Sequence, residues 1–407
     1  MLNGKHVLLG VTGGIAAYKA VELVSRLRKQ GAEVRVILTE HAAQFVTPLL
    51  FREISNNKVV SSMWDAEPEF YAEHIKLAEW ADILVIAPAT ANICAKLAHG
   101  LADDMLSSTA LAVPATKPVL VCPAMNCEMY ANPVTRRNLA VLAQLENFRI
   151  VEPAEGVLAC GTSGRGRLPE PEALTDWIDS VLGIYYGDMR GLRVLVTAAG
   201  TREAIDPVRF VGNRSSGKMG YAVARAALSR GASVVLVSGP SKEVPPVCAE
   251  FVPVESTKEM LEACLAAYPD TDIVVKAAAV ADFRPHEQAE HKIKKENDDR
   301  LTLVMDKNPD ILYELGQRKE GQFLVGFAAE TRDVEAYARK KIAKKHLDLI
   351  VANDVTLPGA GFNVDTNVVK LIAADGEMTC LEQMSKADVA EKILDKVLSL
   401  RKQSGRV

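Results

Sequence analysis

The chain has 407 residues, 48% of them hydrophobic and 25% charged, with a formal net charge of −4 at pH 7. This length favours two domains, and the composition is ordinary for a globular protein. The acidic balance argues against a general nucleic-acid or membrane-surface binder, and no apolar run reaches the roughly 18 residues of a membrane span. The start shows no signal-peptide pattern and the seven cysteines form no CxxC pair, so we expect a reducing, cytoplasmic compartment.

The first half of the chain alternates apolar runs, typical of buried strands, with a longer amphipathic run, typical of a helix. The Thr12-Gly13-Gly14 turn separates the first strand from that helix, and Gly31 ends the helix. This arrangement predicts a βαβ unit. The predicted strands are 5–11, 33–38, 82–86 and 118–122, and the predicted helix is 15–29.

The pattern restarts near residue 191, where GLRVLVTAAG resembles GKHVLLGVTGG at residue 4. GASVVLVSGP at 231 and TDIVVKAAAV at 271 repeat the later strands in the same order. The sequence therefore predicts an α/β protein of two doubly wound, Rossmann-like or flavodoxin-like domains with mainly parallel sheets. A polar bridge at 185–190 predicts the boundary between domains 1–188 and 189–407.

Polar residues follow several predicted strands of the first half, where ligands of open α/β sheets bind. The glycine turn suits a phosphate, but it is not GxGxxG, and a tight turn without a ligand is the alternative interpretation. Three polar strand ends on one edge favour a mononucleotide such as FMN. The candidate FMN-binding residues are Thr12, Gly13, Gly14, Ile15, Thr39, Thr90 and Asn92.

Three further residues are candidates for chemistry. Asn126, next to Met125, follows the strand at 118–122 and carries an amide that can donate and accept. His74 lies in a predicted amphipathic helix, where a structural role is the alternative. Cys160 lies in a loop of glycines and arginines, a setting that favours a reactive thiolate. The other six cysteines are interpreted as packing residues.

The motifs VTGGIAAYK, the His74 helix, PATAN, PAMN-x-x-M and ACG-x-x-G-x-G-R occur in this order between residues 9 and 169. Together they resemble the flavin-dependent cysteine decarboxylases, and most closely the phosphopantothenoylcysteine decarboxylases. The resemblance implies FMN, with His74, Asn126 and Cys160 in an active site formed between subunits of a trimer. Flavin would oxidise the CH2–SH group so that CO2 can leave, and Cys160 would supply a proton when the electrons return.

In the second half, Gly212 to Met219 nearly matches a P-loop, but Met219 replaces the hydroxyl that binds magnesium, so a P-loop ATPase is excluded. The loop is nonetheless rich in Arg, Ser, Asn and Lys, which suits phosphates. Asp282, after the strand at 271–276, is open to a ribose, metal or capping role. The lysines of HKIKKEN and ARKKIAKKH are either solvated surface or part of the same anion site.

The segments TREAIDPVRFVGNRSSGKMG, AAAVADF, KIKK, KNPDIL, VGFAAET and LDLIVANDV resemble the phosphopantothenate–cysteine ligases of the bacterial, CTP-using type. The resemblance implies Mg2+, dimerisation through this half, contact of Asn213 and Arg209 with the acyl substrate, and a role of Lys292 in activation or attack. Lys276, where a small residue is expected, is a departure from the pattern. The implied CTP-binding residues are Lys276, Ala277, Ala278, Asp282, Lys292, Pro309, Asp310, Ile311, Leu312, Phe327, Lys341 and Lys345.

Together the two resemblances cover nearly the whole chain and imply two consecutive steps of coenzyme A biosynthesis. Cysteine would be joined to 4′-phosphopantothenate through an acyl-cytidylate, and the product would be decarboxylated to 4′-phosphopantetheine. The implied assembly is a homo-oligomer of decarboxylase trimers joined by ligase dimers, up to a dodecamer. The alternatives are a non-catalytic regulatory flavoprotein, which has no need of both Cys160 and His74, and a pyridine-nucleotide oxidoreductase, which the missing GxGxxG disfavours.

Overall fold

The computed structural model describes residues 1–64, 72–157, 163–294, 301–330, 334–354 and 364–405. The chain divides into two compact units, unit 1 (Met1–Asp188) and unit 2 (Met189–Val407). In these described ranges, no helix is both long enough and apolar enough to cross a membrane.

Unit 1 is an α/β unit whose elements alternate along the chain. Its strands are β1 (His6–Val11), β2 (Glu33–Leu38), β3 (Val59–Val60), β4 (Ile83–Ala89), β5 (Val119–Pro123), β6 (Phe148–Ile150), β7 (Ala154–Val157) and β8 (Ser163–Arg167). Its helices are α1 (Ala17–Lys29), α2 (Pro48–Ser55), α3 (Glu73–Trp80), α4 (Ala91–His99), α5 (Met105–Ala112), α6 (Cys127–Ala131), α7 (Pro133–Ala143) and α8 (Pro171–Tyr186).

The main sheet of unit 1 is fully parallel, in the order β3-β2-β1-β4-β5-β6. The strands are added in one direction from β1 to β3 and in the opposite direction from β4 to β6. This change in strand order between β1 and β4, called the sheet reversal below, opens a crevice at the carboxyl ends of those two strands. The strands β4 and β5 are buried along their whole length because helices cover both faces of the sheet. A separate antiparallel pair, β7 and β8, flanks residues 158–162.

Helix α1 shows why its segment is helical: Ala20, Leu23, Val24 and Leu27 recur at three- and four-residue spacing and are buried against the sheet. The helix begins at Ala17 rather than at the predicted Ile15. The reason is that the preceding turn is closed by its own hydrogen bond, in which the Gly14 N–H donates to the carbonyl of Thr12 at 2.9 Å.

Unit 2 has a larger sheet and fewer helices. Its strands are β9 (Arg193–Ala198), β10 (Arg202–Ala204), β11 (Phe210–Gly212), β12 (Ser233–Ser238), β13 (Glu250–Pro253), β14 (Ile273–Lys276), β15 (Phe283–Pro285), β16 (Met305–Lys307), β17 (Phe323–Glu330), β18 (Leu349–Asp354), β19 (Thr366–Ala373) and β20 (Met378–Ser385). Its helices are α9 (Lys218–Ser229), α10 (Thr257–Ala267), α11 (Ile311–Gln317), α12 (Val334–Lys345) and α13 (Lys386–Gln403).

The eight-stranded sheet of unit 2 has the order β13-β12-β9-β14-β17-β18-β19-β20 and is parallel from β13 to β18. The last two strands join it antiparallel. The strand order changes direction in the same way between β9 and β14, so a crevice again lies at the carboxyl ends of central strands. The predicted fold class, two doubly wound α/β domains with mainly parallel sheets, is confirmed.

The six cysteines in the described parts of the chain differ in burial. Cys94, Cys122 and Cys264 are buried, and burial raises the pKa of the Cys94 and Cys264 thiols to about 12, which makes them unreactive. Cys127 and Cys248 are half-buried. The packing interpretation is wrong for Cys380, which is exposed because β20 is the edge strand of its sheet.

Candidate active sites

A cavity of about 620 Å³ lies at the sheet reversal of unit 1. Three strand-end segments meet there: Gly13 to Ala16 after β1, Thr90 and Ala91 after β4, and Ala124 to Asn126 after β5. Gly166 to Leu168, at the end of β8, closes another side. The structure therefore brings Gly13, Gly14, Ile15, Thr90, Met125 and Asn126 together.

The glycine turn of unit 1 is tightly packed from behind. A Cβ atom added to Gly13 would lie 2.4 Å from the Cβ of His41, so this position has no room for a side chain. Thr12 is buried, and its hydroxyl donates to the Pro88 carbonyl at 2.6 Å and accepts from the Thr90 N–H at 3.1 Å. Thr12 thus ties the ends of β1 and β4 together instead of lining the cavity.

Two other predicted FMN residues also lie outside the cavity lining. The Thr39 hydroxyl accepts from the Ala42 N–H at 3.3 Å and stabilises the turn after β2. Asn92 is exposed in the first turn of α4. Thr90, in contrast, lines the cavity and caps α4, its hydroxyl accepting from the Ile93 N–H at 3.4 Å.

The Asn126 turn is fixed by two contacts. The Asn126 carboxamide oxygen accepts from the Glu128 N–H at 2.8 Å, which helps to fix the orientation of the side chain. The neighbouring Met125 N–H donates to the Gly166 carbonyl at 2.9 Å. A Cβ on Gly166 would lie 2.2 Å from the Met125 carbonyl oxygen, so only glycine allows β8 to run this close.

The sequence interpretation missed Lys19, a lysine that is only 4% exposed and lines the cavity of unit 1. Its ammonium donates to the Leu168 carbonyl and to the Glu170 carboxylate, each at 3.0 Å. Arg167 also donates to Glu170, at 2.6 Å. These bonds attach the segment after β8 to α1. A helical lysine five residues beyond a glycine turn carries no local signal for that role.

The structure places His74 away from the lining of the unit 1 cavity and does not test the position of Cys160. His74 is half-buried on α3, which packs against α5, and it does not line the cavity. Cys160 lies outside the described residues.

A second cavity, of about 450 Å³, lies at the sheet reversal of unit 2. It is lined by the segment 213–220 leading into α9, by 276–280 after β14, and by residues of β17, β18 and β19. Lys386, at the start of α13, also lines it. Before it reaches this cavity, the chain forms the antiparallel β10–β11 hairpin.

The lining of this cavity is strongly basic although the protein is acidic overall. Among the described residues, the lining has one carboxylate, that of Asp282, and five basic side chains: Arg214, Lys218, Lys276, Lys341 and Lys386. Burial, followed by repulsion from Lys345, lowers the pKa of Lys276 to about 8. Such a concentration of ammonium groups is stable only near anions or solvent, and it suits a polyanionic ligand.

The backbone after β14 is held in place from several directions. The Lys276 ammonium donates to the Ala278 carbonyl at 2.7 Å. The Asn213 amide donates to the Val280 carbonyl at 2.9 Å, linking this segment to the loop before α9. The Ala278 N–H donates to the Thr197 hydroxyl at 3.2 Å.

Of the residues predicted for the second half, the cavity lining includes Asn213, Lys276, Ala277, Ala278, Asp282, Phe327 and Lys341. Other predicted residues lie outside it. Lys345 forms an ion pair with Asp310, the N-cap of α11, at 2.8 Å. The side chains of Ile311 and Leu312 are buried in the core, and Pro309 precedes them.

Arg209 and Lys292 also lie outside the cavity lining. Arg209 donates to the buried carboxylate of Asp206 and, at 2.8 Å, to the Ile293 carbonyl. Arg209, followed by backbone donors, holds the pKa of Asp206 well below its usual range. Arg209 thereby anchors the segment that carries Lys292, which is itself exposed.

The sequence interpretation missed the contribution of the C-terminal strands to this cavity. Asn353, Asn367 and Lys386 line it, and each comes from an element that the second half adds after β17. Among the residues that the structure describes, the buried carboxamide oxygen of Asn353 has no hydrogen-bond partner. A buried acceptor without a partner is costly, so it indicates a ligand that donates a hydrogen bond there.

Neither cavity has an evident metal centre. Within the part of the chain that the structure describes, no three His, Cys, Asp or Glu side chains cluster closely enough to hold a metal ion. The sequence leaves a metal role open for Asp282, and the structure places this carboxylate in the lining of the second cavity.

Comparison with known families defines the class. Residues 1–183 match the model of the Flavoprotein family, and residues 189–400 match the model described as DNA/pantothenate metabolism flavoprotein C-terminal domain. The chain is therefore a two-part flavoprotein of pantothenate metabolism.

Individual relatives narrow this class. The chain is 51% identical over 407 residues to the coenzyme A biosynthesis bifunctional protein CoaBC of Bacillus subtilis, covering 100% of this chain and 99% of the relative. It is 44% identical over 408 residues to the protein of the same name from Escherichia coli, again covering 100% and 99%. A solved structure, the C-terminal domain of a CoaBC protein, is 43% identical to this chain. The match covers 53% of this chain and 97% of the solved domain, with a TM-score of 0.46.

The chain belongs to the family of bifunctional coenzyme A biosynthesis proteins. The predicted family and the prediction of a bifunctional enzyme of coenzyme A biosynthesis are confirmed by these full-length matches.

Proposed function

We propose that unit 2 joins cysteine to 4′-phosphopantothenate using CTP and Mg2+, and that unit 1 decarboxylates the product to 4′-phosphopantetheine using FMN. The observation that carries this proposal is the contrast between the cavities. One is built around a glycine turn with mainly apolar walls, and the other has five basic side chains, within a chain whose bifunctional relatives match it over its whole length.

The residues of the first cavity fit FMN. Gly13, Gly14 and Thr90 would hold the phosphate, because the two glycines have no side chains to block it and Thr90 is the N-cap of α4. Ile15 and Met129 provide apolar surface for a flat ring. When bound, FMN would supply the reversible oxidation at the thiol-bearing carbon that makes loss of CO2 possible.

The chain's own groups would position the substrate and move protons. The carboxamide of Asn126, which lines the cavity, would hold the substrate carboxylate. His74 would serve as a base or electrostatic partner, and Cys160 would donate the final proton. These roles predict that Cys160→Ser still releases CO2 but stops at the unsaturated thiol. Full saturated product from Cys160→Ser would remove that role from the cysteine.

In the second cavity, the lysines would neutralise the triphosphate of CTP and the charge that develops as pyrophosphate leaves. Mg2+ would enter as the CTP complex, with Asp282 as a protein carboxylate near it, since Mg2+ is commonly held by substrate phosphates and one or two carboxylates. Asn213 would contact the activated acyl group. Lys292 would act in activation or in attack by the cysteine amine.

We also propose that the protein is a homo-oligomer. Ile15 and Tyr18, which line the flavin-type cavity, are 62% and 61% exposed, and Met129 is 49% exposed. Large apolar side chains clustered at the edge of a site favour coverage by another surface. A second copy of the chain would provide that surface in a trimer, and unit 2 would dimerise.

The test supplies the purified full chain with 4′-phosphopantothenate, cysteine, CTP and Mg2+, and follows CMP, pyrophosphate and CO2 together. We expect all three in equal amounts and flavin absorbance in the protein. Flavin binding without turnover would support a regulatory flavoprotein instead. Colourless protein that takes up no FMN and releases no CO2 from phosphopantothenoylcysteine would refute the decarboxylase.

A further inference from the structure

Lys386 is an unusual residue for the wall of a cavity. It is the first residue of α13 and is only 6% exposed, although lysine is rarely buried so completely. Its ammonium donates to the Val364 carbonyl at 2.5 Å. Burial, followed by repulsion from Lys218, lowers the pKa of Lys386.

Lys218 brings a second ammonium group to the same end of the cavity. It is the first residue of α9, directly after Gly217, and its side chain is 30% exposed. It forms an ion pair of 2.6 Å with Asp365, whose own side chain is 88% exposed. Because Asp365 is so well solvated, its ion pair with Lys218 contributes little, and an entering anion can compete with it.

The basic groups of the cavity fall into two sets. Lys276 ends β14 and Lys341 lies on α12. Lys218 and Lys386 instead begin α9 and α13, two helices that pack against each other. The cavity therefore offers two separate positive regions, as a ligand with charge at two places along its length would require.

We propose that Lys218 and Lys386 form the subsite for the two terminal phosphates of the nucleotide, and that they stabilise pyrophosphate as it leaves. In this step the carboxylate oxygen of 4′-phosphopantothenate bonds to the α-phosphorus of CTP. The bond from that phosphorus to the bridging oxygen breaks, and pyrophosphate departs with the electron pair. The inference rests on the proposed ligase function and deepens it, because it assigns the leaving group to a pair of lysines.

Two cationic groups beside a leaving polyphosphate act where negative charge grows, so they accelerate the step in addition to binding the nucleotide. Removing the Lys386 charge should lower kcat/KM for CTP roughly 10- to 100-fold. Binding of 4′-phosphopantothenate and cysteine should change little. A purely structural role of Lys386 at Val364 would affect all three substrates together.

The experiment compares Lys386→Gln, Lys386→Arg and the control Lys392→Gln in the full chain with FMN present. Lys392 lies on the same helix, is 56% exposed and is 3.9 Å from Asp395, so its loss should be silent. Initial rates of pyrophosphate release are measured against each substrate, and inorganic pyrophosphate is used as an inhibitor. We expect weaker inhibition by pyrophosphate in Lys386→Gln, by about tenfold, and recovery in Lys386→Arg.

Each other outcome overturns the proposal. Pyrophosphate inhibition that is unchanged in Lys386→Gln would overturn it. An effect confined to KM for 4′-phosphopantothenate would also overturn it, because the subsite would then bind the phosphate monoester of that substrate. If Lys386→Gln does not fold, Lys218→Gln provides the same test, since Lys218 is less buried. Wild-type protein that releases no pyrophosphate from any nucleoside triphosphate would refute the ligase function itself, a result distinguishable from failure of the subsite alone.

Discussion

The two cavities occupy the same place in two similar sheets but have opposite chemistry. In unit 1, the charged lining residues are Lys19 and Arg167, and both donate to Glu170, so a carboxylate of the same unit neutralises part of their charge. In unit 2, five basic side chains face one carboxylate. The comparison shows that the doubly wound sheet decides where a site forms, whereas the side chains at the strand ends decide what it binds.

If the two sites act independently, the largest effect should come from Lys292→Gln. We expect amide formation to fall by more than about 100-fold while decarboxylation of supplied phosphopantothenoylcysteine stays within about twofold. The measurement is CMP release and CO2 release in separate assays. Lys294→Gln, two residues along the same exposed segment, is the matched control. Loss of both activities in a folded Lys292→Gln variant would contradict independent sites.

The next largest effect tests the turn of unit 1. Gly13→Ala would place a methyl group 2.4 Å from the Cβ of His41, so the turn must shift and flavin occupancy should fall at least tenfold. At Gly14 an added Cβ would be 3.7 Å from its nearest neighbour, so Gly14→Ala should leave thermal stability almost unchanged. Flavin absorbance per chain and thermal melting distinguish the two variants. Full flavin content in Gly13→Ala would show that the turn is not needed for binding.

A smaller effect is expected at Asn353. Leucine has nearly the shape of asparagine but lacks the buried acceptor, so Asn353→Leu should leave the free energy of unfolding unchanged or raise it by about 1 kcal/mol. The same change should raise KM for CTP several-fold, because the ligand loses its acceptor. Urea denaturation without ligand and steady-state rates check the two parts. A destabilised variant with normal KM would mean that the carboxamide serves the fold.

The smallest effect concerns Lys276, whose pKa is lowered from 10.5 to about 8. Below pH 8 the folded protein bears the full cost of a buried charge, and that cost is relieved as pH rises from 8 to 10.5. Lys276→Met should therefore be more stable than wild type at pH 7, by about 1 kcal/mol after loss of the Ala278 hydrogen bond, and the difference should shrink above pH 8. Denaturant unfolding at pH 7, 8.5 and 10 measures it. A difference that does not vary with pH would contradict the shifted pKa.

Much of the fold could be read from the sequence because parallel strands leave a strong local pattern. The runs that form β1, β4 and β5 are continuous and apolar, and the glycine turn marks the end of β1. The first cavity follows from these elements, since strand ends of one sheet must meet at one edge. Thr12 shows the limit of that argument, because a polar residue at a strand end can bind the neighbouring strand instead of a ligand.

The second cavity was less accessible to sequence reasoning. Lys386 and Asn367 reach it only because β19 joins the sheet antiparallel and α13 packs against α9, and both are long-range events without a local pattern. Arg209 illustrates the reverse case: a basic loop suggests substrate binding, yet its guanidinium is engaged by Asp206. Whether a basic side chain of a loop can bind a ligand therefore depends on its contacts with other residues of the folded chain.

The position of Lys386 in the chain has a consequence for biosynthesis of the protein. Lys386 is translated after every other residue that lines either cavity, and α13, which it begins, covers the core of unit 2. A nascent chain on the ribosome can therefore complete the flavin-type pocket long before the nucleotide pocket exists. Proteolytic or translational loss of α13 would leave a molecule that keeps the cavity of unit 1, proposed for decarboxylation, and lacks an intact cavity in unit 2, proposed for ligation.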